Sequence, residues 1–137
     1  MMTARGPETA RAVDRSVLEE LLEDLLGNVL TFERFVADYV ALWSGRMTTL
    51  DAALARTDLA AADTGVLSIR SSSIMLGCAY VATISDSMLA AVRRADCLSA
   101  QAWLPELDAA GTEACHELSL LLVEETHRSW GEPEQHP

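Results

Sequence analysis

The chain has 137 residues, enough for one domain of ordinary size and not for two. Half of the residues are apolar and 23% are charged, a composition typical of a globular protein. Ten basic residues, all of them arginine, compare with 21 acidic ones, so the formal net charge is −11. This acidity argues against binding to nucleic acid and against docking on anionic membrane surfaces, since both need clustered positive charge.

Three cysteines, Cys78, Cys97 and Cys115, form no CxxC pair, which predicts neither a zinc site nor a disulfide framework. Residues 1–15 contain no apolar stretch, so we expect no signal peptide there. No apolar run approaches the roughly 20 residues that cross a bilayer. We therefore expect a soluble, cytoplasmic protein that needs no cofactor and whose partners are other proteins.

Apolar residues recur at helical spacing almost throughout, and no segment alternates long enough to predict a strand. The first predicted helix begins at an N-cap, Asp14 or Ser16, and ends at Gly27-Asn28. The second covers about 30–56 and contains Gly45, where the helix could bend.

Two more predicted helices follow after short turns. The third covers about 59–76, with Thr57 or Asp58 as its N-cap, and Gly77 marks its end. The fourth covers about 79–94. Each is long enough to be one member of a helical bundle.

The last predicted helical segment runs to about 127, with Asp96 and Ser99 as candidate N-caps. Pro105 lies inside it, so the helix either kinks there or restarts with Pro105 in its first turn. One short helix and four longer ones predict an all-α fold, an antiparallel up-down four-helix bundle with a short extra N-terminal helix.

Composition sets the limits of this bundle. We place it over residues 14–128. The polar ends, 1–13 and 129–137, contain three of the four prolines, and we expect them to be flexible tails.

The third predicted helix contains an unusual run, Leu67-Ser-Ile-Arg-Ser-Ser-Ser-Ile-Met-Leu-Gly77. Serine is a poor helix former, so three consecutive serines in mid-helix need an explanation. If Ile69 and Leu76 face the core, the spacing turns Ser72 and Ser73 towards it as well. Their hydroxyls can bond to the carbonyl four residues earlier, and their small size lets a neighbouring helix approach closely.

On these residues the chain resembles the histidine-containing phosphotransfer (HPt) family, whose central helix carries the motif H-x-L-K-G-S-S-x-x-L-G-A. The specified positions after the motif's histidine, with its unspecified positions left out, are filled in order by Ile69, Arg70, Ser71, Ser72, Ser73, Leu76, Gly77 and Cys78. The turns Arg-Thr-Asp58 and Arg-Ala-Asp96 are similar to the family's short Gly-Asp turns. The resemblance covers about 14–128 and implies the same bundle.

One departure from the motif is decisive, because Leu67 stands where the family has its phosphoacceptor histidine. A leucine side chain has no nucleophile, and neither Ser68 nor Ser71 has a histidine or lysine base near it in sequence. Arg70 keeps the positive charge of the family's lysine with a different geometry, and Ser71 adds bulk where the family has glycine. The resemblance therefore implies a pseudo-HPt domain.

The predicted function is a non-catalytic signalling module that binds a response-regulator receiver domain or a histidine kinase without carrying phosphate. We place its partner-binding surface at Leu59, Asp63, Leu67, Arg70, Ser71 and Ile74. Leu67 with Ile74 and Leu59 would form an exposed apolar patch, while Arg70 faces an acidic pocket of the partner. Ile69, Ser72, Ser73, Leu76 and Gly77 are assigned to packing. The alternative is a structural bundle that homodimerises through this patch.

A metal-containing enzyme is the weakest alternative. Glu113-x-x-His116 and Glu124-x-x-His127 have the spacing of di-iron carboxylate motifs. Such centres need the two motifs on different helices that face inward, whereas these lie on one helix. We predict a solvated acidic face, no metal site and no enzymatic activity, since the sequence also contains no glycine-rich phosphate loop and no nucleophile elbow.

Overall fold

The computed structural model describes residues 12–128, with side chains described up to residue 123. This part of the chain forms six helices and no strand: α1 (Arg15–Asp24), α2 (Val29–Ala55), α3 (Leu59–Met75), α4 (Ala79–Arg93), α5 (Cys97–Ala102) and α6 (Leu104–Arg128). The predicted C-terminal tail and most of the predicted N-terminal tail lie outside the described residues. None of the six helices combines the length and the apolarity that a membrane crossing requires.

The helices form a four-helix bundle, which confirms the predicted fold class. α3 packs between α2 and α4, and α6 packs against the same two helices from the other side. Within the described residues α3 and α6 make no contact, so they lie diagonally across the bundle. The short helix α1 packs on α2 and α3, and α5 packs mainly on α4.

Carboxylate and amide side chains start four of the helices. Asp14, Asn28, Asp58 and Asp96 each accept a hydrogen bond from a backbone N–H two or three residues later. Of the paired candidates, Asp14, Asp58 and Asp96 are therefore the N-caps. Asn28, which the sequence places at the end of the first helix, caps the start of α2 by accepting from Thr31 N at 3.1 Å.

The last predicted helix is divided in two. α5 ends at Ala102, and α6 begins at Leu104 with Pro105 as its second residue. Proline has no N–H to donate, and the first turn of a helix is the one place where that costs nothing. The chain therefore restarts at Pro105 and does not kink there, whereas α2 runs through Gly45 as one helix.

Residues 12 and 13, which precede α1, make two contacts with the bundle. Val13, which the sequence assigns to the N-terminal tail, is 1% exposed and belongs to the core. The preceding residue, Ala12, donates its N–H to Glu117 Oε1 at 3.0 Å, which ties this segment to α6. The ordered bundle therefore begins at least two residues before the predicted boundary at 14.

Candidate binding face on the third and fourth helices

Five of the six predicted partner-binding residues share one flank of α3. Leu59, Asp63, Leu67, Arg70 and Ile74 recur at spacings of three and four, which places their side chains in one row along a helix. The ion pairs described below show that this row borders α4. Ser71 lies beside the row and is exposed.

Two ion pairs join this flank of α3 to α4. Arg93 Nε donates to Asp63 Oδ2 at 2.9 Å, and Arg93 Nη2 donates to Asp63 Oδ1 at 3.4 Å. Two turns further along α3, Arg70 Nε donates to Asp86 Oδ1. The acidic partner is on α3 in the first pair and on α4 in the second, so the two pairs favour one antiparallel register of the helices.

Leu67 lies between these two ion pairs. Because both pairs follow the same antiparallel register, position 67 faces position 89, which is Leu89 in the buried core. Leu67 itself is half-buried and packs against that core. The side chain that the sequence resemblance aligns with the phosphoacceptor position is thus part of the α3–α4 packing.

The three residues of the predicted apolar patch differ in exposure. Leu59 and Leu67 are half-buried and pack against the core, so each exposes only part of its side chain. Ile74 is 48% exposed, and Met75 beside it is 38% exposed. The most exposed apolar side chains of this flank therefore lie at the C-terminal end of α3.

The ion pair between Asp63 and Arg93 shifts the pKa values of both residues. The hydrogen bond from Arg93 lowers the pKa of Asp63 below its usual range, and the same contact raises the pKa of Arg93. Arg70 was expected to face a partner's acidic pocket, but in the free protein its Nε already contacts the Asp86 carboxylate.

Ser72 and Ser73 connect α3 to α2. Ser73 is fully buried, and its hydroxyl lies 2.7 Å from the Tyr39 hydroxyl. Ser72 Oγ donates to Ser68 O at 2.9 Å, the back-bond that the spacing predicts, and accepts from Arg46 Nη1 at 3.0 Å. Burial raises the pKa of Tyr39, so this hydroxyl stays protonated.

The end of the motif is set by Gly77, which needs to be glycine for two reasons. Its φ is +78°, and a Cβ placed on it would lie 2.7 Å from Asp14 O. Its carbonyl accepts from Asp14 N at 2.9 Å, so the end of α3 is tied to the start of α1. Ile69 and Leu76 are buried in the core, as the predicted orientation of α3 requires.

Asp86, Leu89 and Arg93 on α4 lie opposite this flank of α3, and none of them was among the predicted site residues. A signal for them exists in the sequence. Asp63 and Arg70 are seven residues apart, Asp86 and Arg93 are also seven apart, and the charges match only when the two helices run antiparallel. We refer to the exposed parts of Arg70, Ser71, Ile74, Met75 and Asp86 as the α3–α4 face.

The predicted acidic face of α6 has no metal-binding arrangement in the described residues. Glu113 and His116 are exposed, while Glu117 accepts the hydrogen bond from Ala12. No group of three or more metal-ligating side chains occurs among the residues whose side chains are described. The side chains of Glu124 and His127 lie outside that part of the chain.

The three cysteines carry free thiols in the structure. Burial raises the pKa of Cys78 to about 12 and that of Cys115 to about 11. Both thiols are therefore protonated near neutral pH, which makes them poor nucleophiles.

A groove of about 510 Å³ lies between α2 and α6 and borders no residue of α3. Trp43, Met47 and Leu104 contribute apolar surface to it, and Asp51 and Asp108 contribute carboxylates. Asp108 Oδ1 accepts from Trp43 Nε1 at 3.0 Å, so that carboxylate holds the tryptophan in place.

No protein-family model matches the chain, and no curated protein matches it. Its architecture does match a solved one, the crystal structure of histidine-containing phosphotransfer protein B (HptB) from Pseudomonas aeruginosa PAO1. The match has a TM-score of 0.69 and covers 87% of this chain and 97% of that one. The fold is HPt-like. Since the sequence identity is 21%, the likeness establishes the fold and leaves the function to be argued from the residues.

Within this HPt-like fold, the segment that resembles the family motif lies on α3, which packs between two other helices of the bundle. Its buried residues hold α3 against α2, and its charged residues pair with α4. The α3–α4 face is what the motif leaves at the surface.

Proposed function

We propose that this protein is a pseudo-HPt module, which binds a response-regulator receiver domain or a histidine kinase through the α3–α4 face and does not carry phosphate. The observation that supports the proposal is Leu67. It occupies the phosphoacceptor position of the HPt motif in a bundle whose fold is HPt-like, and its hydrocarbon side chain cannot accept a phosphoryl group.

No neighbouring side chain offers a substitute for the missing imidazole. The chain has three histidines, and none of them is on α2, α3 or α4. His116 is on α6, diagonally across the bundle from α3. Ser68 and Ser71 are exposed hydroxyls without an adjacent histidine or lysine to act as a base.

The chemistry of the α3–α4 face supports a protein as partner. Ile74 and Met75 supply exposed apolar area, while Arg70 and Asp86 supply charge beside it. A mixed surface of this kind, with apolar contacts bordered by polar ones, is typical of transient protein–protein interfaces.

Binding can be tested with the same substitution, to glutamate, at two exposed aliphatic residues on different helices. Receiver domains and kinase domains encoded in the source genome are titrated against the wild type, Ile74→Glu and Leu120→Glu. Ile74 and Leu120 have similar exposure, 48% and 56%, but Leu120 is on α6. We expect Ile74→Glu to weaken binding by about tenfold or more, the effect of removing a contact of roughly 1.4 kcal/mol, and Leu120→Glu to leave it unchanged. Equal effects of the two variants would contradict the proposed surface.

Phosphotransfer is tested separately, with a receiver domain phosphorylated on its aspartate. We expect the wild type to acquire no phosphoryl group, and stable labelling of the protein would overturn the pseudo-HPt assignment. Leu67→His is expected to restore at most part of the transfer, because Ser71 still adds bulk beside the new imidazole.

Homodimerisation through the same face is the competing function, and the exposure of Ile74 and Met75 is the observation in its favour. Sedimentation equilibrium distinguishes the two. We expect a monomer, whereas a dimer that Ile74→Glu dissociates and Leu120→Glu preserves would show that the face binds a second copy of the chain.

A further inference from the structure

We infer that Asp86 is an intramolecular competitor for Arg70, and that the α3–α4 face therefore selects a partner that presents a carboxylate to Arg70 and displaces Asp86. The inference rests on the proposed function and adds to it the chemistry of the partner and a residue that limits its affinity.

Arg70 has unused hydrogen-bonding capacity. Its Nε donates to Asp86, and its two Nη groups donate no hydrogen bond within the described part of the chain. The Arg70 side chain is 38% exposed, and that of Asp86 is 57% exposed. An arginine offers five N–H donors in a fixed plane, so this guanidinium has donors for a partner's carboxylate, and a two-point contact that includes Nε requires Asp86 to leave.

The second ion pair of the helix interface differs in this respect. Arg93 contacts both oxygens of Asp63, through Nε at 2.9 Å and through Nη2 at 3.4 Å. A two-point contact of this kind is stronger and more specific than a single one. Asp63–Arg93 is therefore the harder of the two pairs to open, and Arg70–Asp86 is the one that we expect a partner to open.

Asp86 opposes an acidic partner in two ways. It occupies the guanidinium that would bind the incoming carboxylate, and it places a second negative charge beside that carboxylate. Exposed ion pairs contribute little to stability, so exchanging one carboxylate for another costs the fold little. The protein has a net charge of −11, so most of its surface repels an acidic partner. A positive charge at Arg70 is therefore needed to attract the partner's carboxylate.

The test uses the receiver domain that binds the wild type best. Its affinity is measured for Asp86→Asn, for Arg70→Gln, for the double variant and for Asp51→Asn. Asp51→Asn makes the same change in net charge at an exposed site on α2, in the groove away from α3. Asp86→Asn is expected to tighten binding about threefold at low salt, a gain that shrinks as salt screens the charges. The gain is expected to shrink when Arg70 is glutamine, because only the relief of charge repulsion then remains, and Asp51→Asn is expected to leave the affinity unchanged.

A partner-independent measurement separates this inference from the proposed function. The NMR resonance of the Arg70 Nε–H group should shift on Asp86→Asn, because its acceptor is changed. An unchanged resonance would show that the ion pair does not form in solution, which overturns the inference whatever the partner.

The binding data have equally clear outcomes. Competition for Arg70 is wrong if Asp86→Asn binds the receiver no more tightly than the wild type does. It is also wrong if Asp86→Asn raises the affinity by the same factor when Arg70 is glutamine. In both cases the proposed function stands. If no receiver or kinase domain binds any of the variants, the proposed function fails and the inference fails with it.

Discussion

Tyr39 on α2 and Ser73 on α3 join their hydroxyl groups across the buried core at 2.7 Å. Both side chains are nearly inaccessible to water, so neither hydroxyl has a solvent molecule to replace the other. The bond explains why a serine occurs in the middle of a core-facing helix: it lets α2 approach closely and satisfies the tyrosine. Ser72 and Ser73 thus serve packing on the α2 side, while Ser71 and the rest of the α3–α4 face lie on the other side of the helix.

Removing one hydroxyl of this pair should lower the free energy of unfolding by more than the net contribution of one hydrogen bond, because the other hydroxyl stays buried. Ser73→Ala leaves the Tyr39 hydroxyl buried without this partner, so we expect a loss of about 1–3 kcal/mol in the free energy of unfolding. Tyr39→Phe removes the other group, and the double variant should lose less than the sum of the two. Urea titrations measure all three, and strictly additive losses would show that the two hydroxyls are not coupled.

Gly111 should tolerate no side chain, because Trp43 lies directly over it. A Cβ built on Gly111 would be 1.7 Å from Trp43 Cζ2. We expect Gly111→Ala to destabilise the fold by about 1–3 kcal/mol or more through overpacking. Gly45→Ala is the matched control, since nothing lies within 4 Å of its added Cβ and alanine is a better helix former. Gly45→Ala should stabilise the fold by up to about 1 kcal/mol, and thermal unfolding that ranks the two in the opposite order would contradict the packing.

Thr57 and Ala95 should be improved by glycine. Their φ angles are 58° and 60°, in the left-handed region that disfavours a side chain. Thr57→Gly and Ala95→Gly should each stabilise the fold by about 0.5–1 kcal/mol, after the greater flexibility of glycine in the unfolded chain is allowed for. Ala60→Gly, in the first turns of α3, is the control and should destabilise. Denaturant midpoints test this, and a loss of stability at both turns would rule out relief of backbone strain.

Asp63 should make stability depend on pH in the acid range. Its pKa is lowered by the hydrogen bond from Arg93, so the folded protein holds this proton less tightly than the unfolded chain. The stabilisation is complete above about pH 5, where the unfolded carboxyl is ionised, and is lost as pH falls through the lowered pKa.

Asp63→Asn and Arg93→Gln should each reduce the loss of stability between about pH 5 and pH 2, since either one removes the pair. The double variant should resemble the single ones. Urea unfolding across this range measures the effect, and an Asp63→Asn protein that loses as much stability on acidification as the wild type would show that the pair does not contribute.

The helices themselves could be predicted because their causes are local. The boundaries at Gly77 and Asp58 depend on residues within one turn of the helix end, and both were located within a residue. The choice between Asp96 and Ser99 as N-cap needed only the backbone geometry of that turn. Pro105 restarts the helix for an equally local reason, its missing N–H.

Leu67 shows where local reasoning stops. The resemblance to the HPt motif predicts that it stands at the phosphoacceptor position, and its chemistry as a hydrocarbon is plain from the sequence. That it is half-buried against the core was decided by α4, which brings Leu89 to the same level between two ion pairs. Exposure of a side chain depends on what packs against its helix, and the period of that helix alone does not contain this information.

The sequence by itself therefore determined an all-α chain, the ends of its helices and a hydrocarbon side chain at position 67, since each follows from residue type and spacing along one helix. The tertiary structure decided that Arg70 is held by Asp86, that Ser73 is paired with Tyr39 and that Ile74 and Met75 are exposed. Each of these depends on the register between two helices, which is set by side chains far apart in the chain that meet only when the bundle has packed.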